Sequence, residues 1–265
     1  MFSSSQTQYI DSIYDSGNQK IVISYGNAAS SYSINSIVGT VSGTSISFGS
    51  AVQFETGIAD EIEAVFDSTN NKVVISYKLL HSNHGKSIVG TVSGASISFG
   101  SSVTFNAANT HGISTAFDST NNKVVIAYED RGDSDKGKFV VGTVSGTSIS
   151  FNTASAFSGS NAVFQTGTTF DSNANKVVIA YANDTDGSDR GEAIVTNIDS
   201  LNRAEVASGQ PVRLDIIGSV SDNQIGLTTG QQYFVQADGT ISETAGSPSV
   251  LAGTAISATK LVVKT

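Results

Sequence analysis

Four copies of one short segment constrain the fold of this chain more than any other feature of its sequence. The copies are YDSGNQKIVISYGN at 14–27, FDSTNNKVVISYKL at 66–79, FDSTNNKVVIAYED at 117–130 and FDSNANKVVIAYAN at 170–183. Two further markers follow the first three copies in the same order, IVGTVSG or VVGTVSG and then SISF. A period of about 50 residues indicates that a whole structural unit has been duplicated.

Each unit predicts four short antiparallel β-strands. In the second unit the first strand ends at Asp67, the polar turn TNN leads into KVVISY (72–77), and SIVGTVSG (87–94) follows a variable loop. The last strand alternates apolar and polar residues, as in SISFGSAVQF (45–54) of the first unit. Four meandering strands in about 50 residues are the size of one β-propeller blade. We therefore predict an all-β fold in which four four-stranded repeats form a β-propeller-like array, its ring either incomplete or completed by oligomerisation.

The most regular side chains of the repeat have structural roles in this interpretation. The Asp of each copy starts a polar turn, where its carboxylate can accept hydrogen bonds from backbone N–H groups two residues on. The aromatic residue before it is predicted to fill the space between neighbouring sheets, because one sheet cannot bury both of its faces alone. The pairs are Tyr14–Asp15, Phe66–Asp67, Phe117–Asp118 and Phe170–Asp171.

The period is lost near Ser200, which predicts two domains: a repeat domain over 1–199 and a small β-rich anchoring or oligomerisation domain over 200–265. The segment SLNRAEVASG (200–209) begins and ends with the capping residues of a short helix. Strand-like segments follow it, and ADGT (237–240) is typical of a hairpin turn. These strand-like segments are 211–220, 230–236, 239–244 and 260–265.

Composition excludes several classes of partner. The formal net charge is −9 and Lys and Arg form no run, so we expect neither nucleic acid nor an anionic membrane to bind. No window approaches the roughly 18 apolar residues of a membrane span. The first residues, MFSSSQTQYIDSIYDSG, lack the basic head and apolar run of a secretory leader. Cysteine is absent, which rules out disulfides and thiolate metal sites.

Few residues suit catalysis or metal binding, and we predict no catalytic residue, no cofactor and no metal site. The histidines are His81, His84 and His111, and the first two lie in a variable loop without an acidic partner. Two other variable loops are acidic, which leaves calcium binding open as an alternative to a solvated turn. Their acidic residues are Asp130, Asp133 and Asp135 in one loop and Asp184, Asp186 and Asp189 in the other.

The variable loops are the best candidate for a recognition surface. The strand segments are nearly identical between copies, whereas the loops after the KVVISY-type strands differ in length and charge. Binding residues commonly lie on loops that a rigid scaffold holds. The four loop segments are GNAASSYSINS, KLLHSNHGKS, EDRGDSDKGKF and ANDTDGSDRGEA.

Two parts of the chain resemble structural proteins of tailed bacteriophages. The segments GLTTGQQYFVQADGT (226–240) and AGTAISATKLVV (252–263) are similar to a C-terminal module of tail-fibre and other appendage proteins. The repeat FDSTNNKVVIAY…GTVSGTSISFG is similar to arrays, often longer than this one, in structural proteins of marine and freshwater phages. The resemblance implies a protein of the virion surface, and it concerns shape rather than chemistry.

Together these observations predict a non-enzymatic structural protein of a phage virion, either a fibre or appendage component or a surface decoration. The expected partners are other virion proteins, further copies of the chain and host surface carbohydrate, for which many copies would add avidity. Two alternatives stay open. One is a subunit of an extracellular filament or adhesin, and the other is a capsule-degrading fibre enzyme with paired carboxylates from distant strands.

Overall fold

A computed structural model shows that the chain is built almost entirely of β-strands, which confirms the predicted all-β fold. The chain divides into two compact units, Met1–Asn202 and Arg203–Thr265, close to the predicted domain boundary. The residues that the structure describes are 1–28, 32–159, 161–184, 190–196, 198, 220–221, 227–235, 241–244, 251–257 and 260–263.

Four repeats build the first unit, and successive long strands within each repeat pair antiparallel to form the sheet of that repeat. A single pairing of Lys136 with Ala162 joins the sheets of the third and fourth repeats. The first repeat comprises β1 (Thr7–Asp15), β2 (Lys20–Asn27), β3 (Ser33–Ser42), β4 (Ser45–Phe48) and β5 (Val52–Thr56). The second comprises β6 (Ala59–Asp67), β7 (Lys72–Leu79), β8 (Gly85–Ser93), β9 (Ser96–Phe99) and β10 (Val103–Asn106). The third comprises β11 (Thr110–Asp118), β12 (Lys123–Asp130), a 3₁₀ turn (Arg131–Asp133), β13 (Lys136–Ser145), β14 (Ser148–Phe151) and β15 (Ser155–Ala156). The fourth comprises β16 (Ala162–Asp171), β17 (Lys176–Asp184) and β18 (Arg190–Thr196).

The fourth strand of the repeat is interrupted. In the first repeat β4 and β5 both pair with β3, one along 39–42 and the other along 33–36. The chain leaves the ladder at Gly49, where an added Cβ atom would lie 1.8 Å from the carbonyl oxygen of Ala95 in the next repeat. The prediction of one continuous strand over 45–54 is therefore wrong, because the neighbouring repeat approaches too closely for a side chain at this point.

The repeated Asp turn has the hydrogen bonds predicted for it. The Asp118 carboxylate accepts from the backbone N–H groups of Thr120 and Asn121 and from the Asn121 side chain, each at 2.9 Å. In addition, Thr120 Oγ1 donates to Asn175 Oδ1 of the fourth repeat at 2.7 Å, and an equivalent bond joins the turns of the second and third repeats. The turn therefore fixes one hairpin and ties it to the next.

A separate apolar core fills the space between each pair of neighbouring sheets. Side chains alternate along a strand, so Val73 and Ile75 of β7 face the first repeat while Val74 faces the third. We call the side of a sheet that contacts the preceding repeat its leading face, and the opposite side its trailing face. The most buried members include Val22, Val38, Ile75 and Tyr77 in the first core, Val74, Val89, Ile126 and Tyr128 in the second, and Val125, Val163, Val177 and Ile179 in the third.

The aromatic residues before the Asp turns border these cores in three repeats only. Phe66, Phe117 and Phe170 pack against the first, second and third cores, as predicted. Their counterpart Tyr14 is 56% exposed, so the prediction that it fills a core is wrong. Tyr14 belongs to the leading face of the first sheet, against which no described sheet packs.

The first strands of the four sheets lie side by side in the order β1, β6, β11, β16. Each carries a β-bulge near its start, for example between His111 and Ser114 in β11. A closed ring would also bring β16 against β1, and the described strands show no such packing. The described repeats thus form an open stack, and the β-propeller-like arrangement, with a ring that is incomplete or completed by oligomerisation, stays a prediction.

The second unit is a small antiparallel sheet with the strand order β19-β23-β22-β20-β21. The strands are β19 (Val220–Ser221), β20 (Gln232–Val235), β21 (Ile241–Ser242), β22 (Leu251–Ser257) and β23 (Lys260–Val263). Strands β20 and β21 pair on either side of the predicted hairpin, and β22 is an additional strand. The predicted helix over 200–209 lies outside the described residues, none of which belong to a helix with the length and apolar character to cross a membrane.

Candidate functional site

Three cavities open at one end of the stacked sheets, which we call the loop-bearing end. Here the second strand of each sheet passes to the third, at residues 28–32, 80–84 and 131–135 in the first three repeats. The cavities form where these loops meet the bulged starts of the first strands. Part of the predicted recognition surface therefore consists of strand ends rather than loops.

An apolar cavity of about 350 Å³ lies between the loops of the first two repeats. Tyr32 and Leu80 form exposed parts of its wall, and Ile58 and His81 complete much of the rest. Its neighbour is a very small pocket that shares Tyr32 and Ile58. His81, considered above as a metal ligand, thus lines an apolar wall.

A second cavity, of about 620 Å³, is polar and collects side chains from three repeats. Glu61 comes from the second repeat, whereas His111, Glu129 and Arg131 come from the third. The fourth repeat adds Phe164 and Gln165, which stand at the bulge of β16. The lining residues that carry hydrogen-bonding or aromatic groups are Glu61, His111, Glu129, Arg131, Phe164 and Gln165.

The bulge of β11 positions Glu61 in this cavity. It turns two successive backbone N–H groups toward the second repeat, and the Glu61 carboxylate accepts from Gly112 at 2.9 Å and from Ile113 at 2.6 Å. Gly112 has a φ of 56°, a left-handed conformation that glycine adopts without strain. Burial raises the pKa of Glu61 although these hydrogen bonds oppose the shift.

A buried lysine lies at the centre of the charged groups near the cavity. Lys78, which is only 1% exposed, donates from Nζ to Asp60 Oδ2 at 2.7 Å and to His111 Nε2 at 2.7 Å. An ammonium group has only donors, so Nε2 is the acceptor, and the ring proton is on Nδ1, which lies 3.6 Å from Glu61 Oε1. Burial and the charges of Lys78 and Arg131 lower the pKa of His111, which keeps the ring neutral.

Asp60, Glu61 and His111 are the one group in the described part of the chain whose ligand atoms lie close enough to hold a metal ion, within 4.8 Å of one another. Lys78 already supplies the positive charge that an ion would bring. Burial would raise the pKa of Asp60, but the hydrogen bond and charge of Lys78 lower it overall. Lys78 therefore balances one of the two carboxylate charges, and two backbone N–H groups stabilise the other.

An ion pair of the third repeat forms another part of the cavity lining. Arg131 Nε donates to Glu129 Oε1 at 2.6 Å, with Glu129 buried and Arg131 partly exposed. Burial raises the pKa of Glu129, and the hydrogen bond and charge of Arg131 oppose the shift. The guanidinium is held beside the cavity with further donor groups available to a ligand.

The acidic loop of the third repeat binds lysines. Asp130 accepts from Lys138 at 2.9 Å, and Asp133 accepts from both Lys136 and Lys138. Asp130 also accepts from a backbone N–H group of the 3₁₀ turn. These contacts occupy the oxygens that calcium would need.

The remaining candidate residues do not come together. His84 lies just before β8, where its backbone N–H donates to Ser82 Oγ and its carbonyl accepts from the backbone N–H of Leu79. Asp135 has a left-handed backbone next to the lysine-bound loop. Asp184 ends β17, while Asp186 and Asp189 lie outside the described residues.

Sequence reasoning missed Asp60, Glu61, Lys78 and Glu129, because they lie in strands that were interpreted as scaffold. A signal was present in the copies themselves. The residue after the tyrosine of the second strand is glycine in the first copy, Lys78 in the second, Glu129 in the third and Ala182 in the fourth. A strand position that changes charge between nearly identical copies indicates a local role beyond packing.

Comparison with models of known protein families and with curated proteins finds no match for this chain.

Proposed function

We propose that the chain is a non-enzymatic structural protein of a phage virion, a fibre or appendage component or a surface decoration, whose loop-bearing end binds host surface carbohydrate. The polar cavity is the observation that carries the binding role. It combines carboxylates and a guanidinium with the amide of Gln165 and the ring of Phe164. Such a mixture suits a sugar, whose hydroxyl groups need donors and acceptors and whose C–H faces pack on aromatic rings.

The internal pairing of the charged groups supports binding rather than catalysis. Glu61 is held by two backbone N–H groups and Glu129 by Arg131. His111 accepts from Lys78 and is neutral. These pairs orient the side chains at little cost when a ligand arrives, which is how preorganised binding sites gain affinity.

The virion location rests on the sequence resemblance and on the form of the molecule, an acidic array of repeated β-sheets. Antibodies raised against the chain should decorate purified phage particles in electron micrographs. Labelling of cell-surface filaments in the absence of particles would contradict this proposal and favour the alternative of a filament subunit or adhesin.

Carbohydrate binding can be tested on an array of bacterial surface glycans with the purified full-length chain. Arg131→Ala, which removes a cavity donor, should weaken binding to any recognised glycan by about tenfold. Lys123→Ala is the matched control, since Lys123 begins β12 at the end away from Arg131, which follows that strand, and this variant should leave binding unchanged. Failure of the wild-type chain to bind any glycan would overturn the binding role.

Glycan cleavage is the second candidate, because two glutamates with raised pKa values, Glu61 and Glu129, line one cavity. Incubation with purified capsular polysaccharide should release reducing ends if the chain is such an enzyme. The Glu61→Gln and Glu129→Gln variants should then lose the activity while retaining binding. We expect no release from the wild-type chain.

A further inference from the structure

Two outer faces of the repeat stack carry the same kinds of residue that are buried inside it. The leading face of every inner sheet packs on the trailing face of the sheet before it. The first sheet has a leading face and the fourth sheet has a trailing face for which the described residues provide no such neighbour. Equivalent positions of inner and outer sheets differ widely in exposure.

The leading face of the first sheet exposes side chains that its successors bury. Val41 and Ile46 are 57% and 43% exposed. The same residue types occupy the equivalent positions of the second sheet, Val92 and Ile97, which are 5% and 3% exposed. Both belong to the first core. Residue type therefore does not account for the difference. The second sheet has the first sheet packed on this face, whereas among the described residues the first sheet has Phe2 on Tyr25 and Phe48 but no packed sheet.

The trailing face of the fourth sheet shows the complementary difference. Val195 of β18 pairs with Val178 of β17, as Val89 pairs with Val74 in the second repeat. Val195 is 65% exposed, whereas Val89 is fully buried in the second core. A valine at this position thus packs on the leading face of the following sheet. Among the described residues, no such face covers Val195 of the fourth sheet.

The hydrogen-bonding ladder at the Asp turns is also open at both ends. Thr69 donates to Asn122 and Thr120 donates to Asn175, each from the third residue of one turn to the fifth residue of the next. The equivalent outer positions are Asn173 in the fourth repeat and Gln19 in the first. The side-chain NH₂ group of Asn173 can donate and the side-chain oxygen of Gln19 can accept, so these two positions can form the same kind of bond.

We infer that two copies of this chain associate head to tail, the trailing face of the fourth sheet of one copy packing on the leading face of the first sheet of the next. The contact repeats the interface that joins the sheets within one chain along their first three strands. The described part of the fourth repeat has no counterpart of Phe54, but Phe2 of the next copy packs on Tyr25 and Phe48 as Phe54 packs on Tyr77 and Phe99. Because the two contacting surfaces differ, the interface is heterologous, so it either closes into a ring or propagates as a filament. The net charge of −9 opposes association, and salt that screens it should strengthen the contact.

Sedimentation velocity of the full-length chain over a range of concentrations tests this interface. We expect the mass to rise from one chain to multiples of it as concentration and salt increase. Val195→Lys and Ile46→Lys each place a charge on one of the two faces and should each leave only monomer. Leu80→Lys is the control, since Leu80 is as exposed as Ile46 but lies in a loop, and this variant should associate like the wild type.

A mixture of the two disabled variants separates head-to-tail packing from any other kind of association. Val195→Lys retains an intact leading face and Ile46→Lys an intact trailing face. Mixed in equal amounts, they should form a heterodimer and nothing larger. A wild-type chain that stays monomeric overturns the inference, and so does association of either variant alone.

Discussion

Asp118 and Asp171 occupy the same place in consecutive repeats, but their surroundings differ. Asp118 is buried and accepts hydrogen bonds from two backbone N–H groups and from Asn121. Asp171 is exposed and accepts from the backbone alone, because Ala174 replaces the asparagine. The two turns therefore allow a comparison within one chain between a buried Asp with three hydrogen bonds and an exposed Asp with two.

We expect Asp118→Ala to lower the free energy of unfolding by about 2 kcal/mol, since it leaves buried N–H groups without an acceptor. Asp171→Ala should cost less than about 1 kcal/mol, because water can replace the exposed carboxylate. Chemical denaturation of the two variants beside the wild type provides the measurement. Equal losses of unfolding free energy in the two variants would show that burial of the Asp turn does not affect how much it stabilises the protein.

Glu63 is an unusual residue for the inner part of a strand. Burial raises its pKa to about 7, and the charges of Asp11 and Glu61 add to the effect. The folded state binds the Glu63 proton more tightly than the unfolded chain does. The protonated carboxyl therefore contributes to the stability of the folded state in full below the ordinary glutamate pKa. That contribution is lost as the pH rises through about 7.

Glu63→Gln should accordingly stabilise the protein above neutral pH and make its stability less dependent on pH between about 4.5 and 7. The gain at pH 8 should be about 1 kcal/mol, because water around this partly exposed group reduces the effect of the full shift. Thermal melting across this pH range gives the measurement. Glu192→Gln, which alters an exposed glutamate, should show no such gain, and a destabilised Glu63→Gln variant would contradict the argument.

At the scale of strands, Lys78 is the clearest case of one element completing another. It extends from β7 of the second repeat and contacts Asp60 of β6 and His111 of β11. Its ammonium group lies where three potential metal ligands converge. Removal of the lysine leaves carboxylate oxygens and an imidazole nitrogen, which are ligands that zinc accepts.

We therefore expect Lys78→Met to gain zinc-dependent thermal stability that the wild type lacks. The melting temperature of the variant should rise by several degrees with added zinc, because a ligand that binds only the folded state stabilises it. Adding His111→Ala to the variant should abolish the rise. An equal zinc effect on the wild type would mean that Lys78 does not substitute for an ion.

The sequence predicted the elements of the repeat better than their assembly. Strands β2, β7, β12 and β17 follow directly from the KVVISY-type segments, because alternation and flanking turns are local properties. The break at Gly49 depends on how close Ala95 of the next repeat lies. The polar cavity depends on three repeats at once, so residues such as Glu61 and Arg131 meet only after stacking.

For the whole molecule, the stacked arrangement predicts a gradient of stability along the chain. The second and third sheets have a packed neighbour on both faces, and their strands β7 and β12 are almost fully buried. The fourth sheet is exposed along much of β16 and β18. In a stacked array each unit draws stability from its neighbours, so units with one neighbour open first.

Hydrogen–deuterium exchange at low protein concentration should reveal this gradient. Amides of β7 and β12 should exchange at least about tenfold more slowly than those of β16 and β18. At concentrations that permit head-to-tail association the difference should shrink, and Val195→Lys should restore it. Uniform protection across the four repeats under dilute conditions would contradict the stacked model.

The turn-to-turn bonds, such as Thr120 to Asn175, have a consequence for how such a chain can change its length. The second and third units each carry a threonine donor for the next unit and an asparagine at the acceptor position for the unit before, as well as one apolar face for each. If a gene segment encoding one such unit were copied in frame between the second and third units, the new unit would already carry the side chains that contact the unit before it and the unit after it. Copy number can thus vary in whole units without compensating substitutions elsewhere.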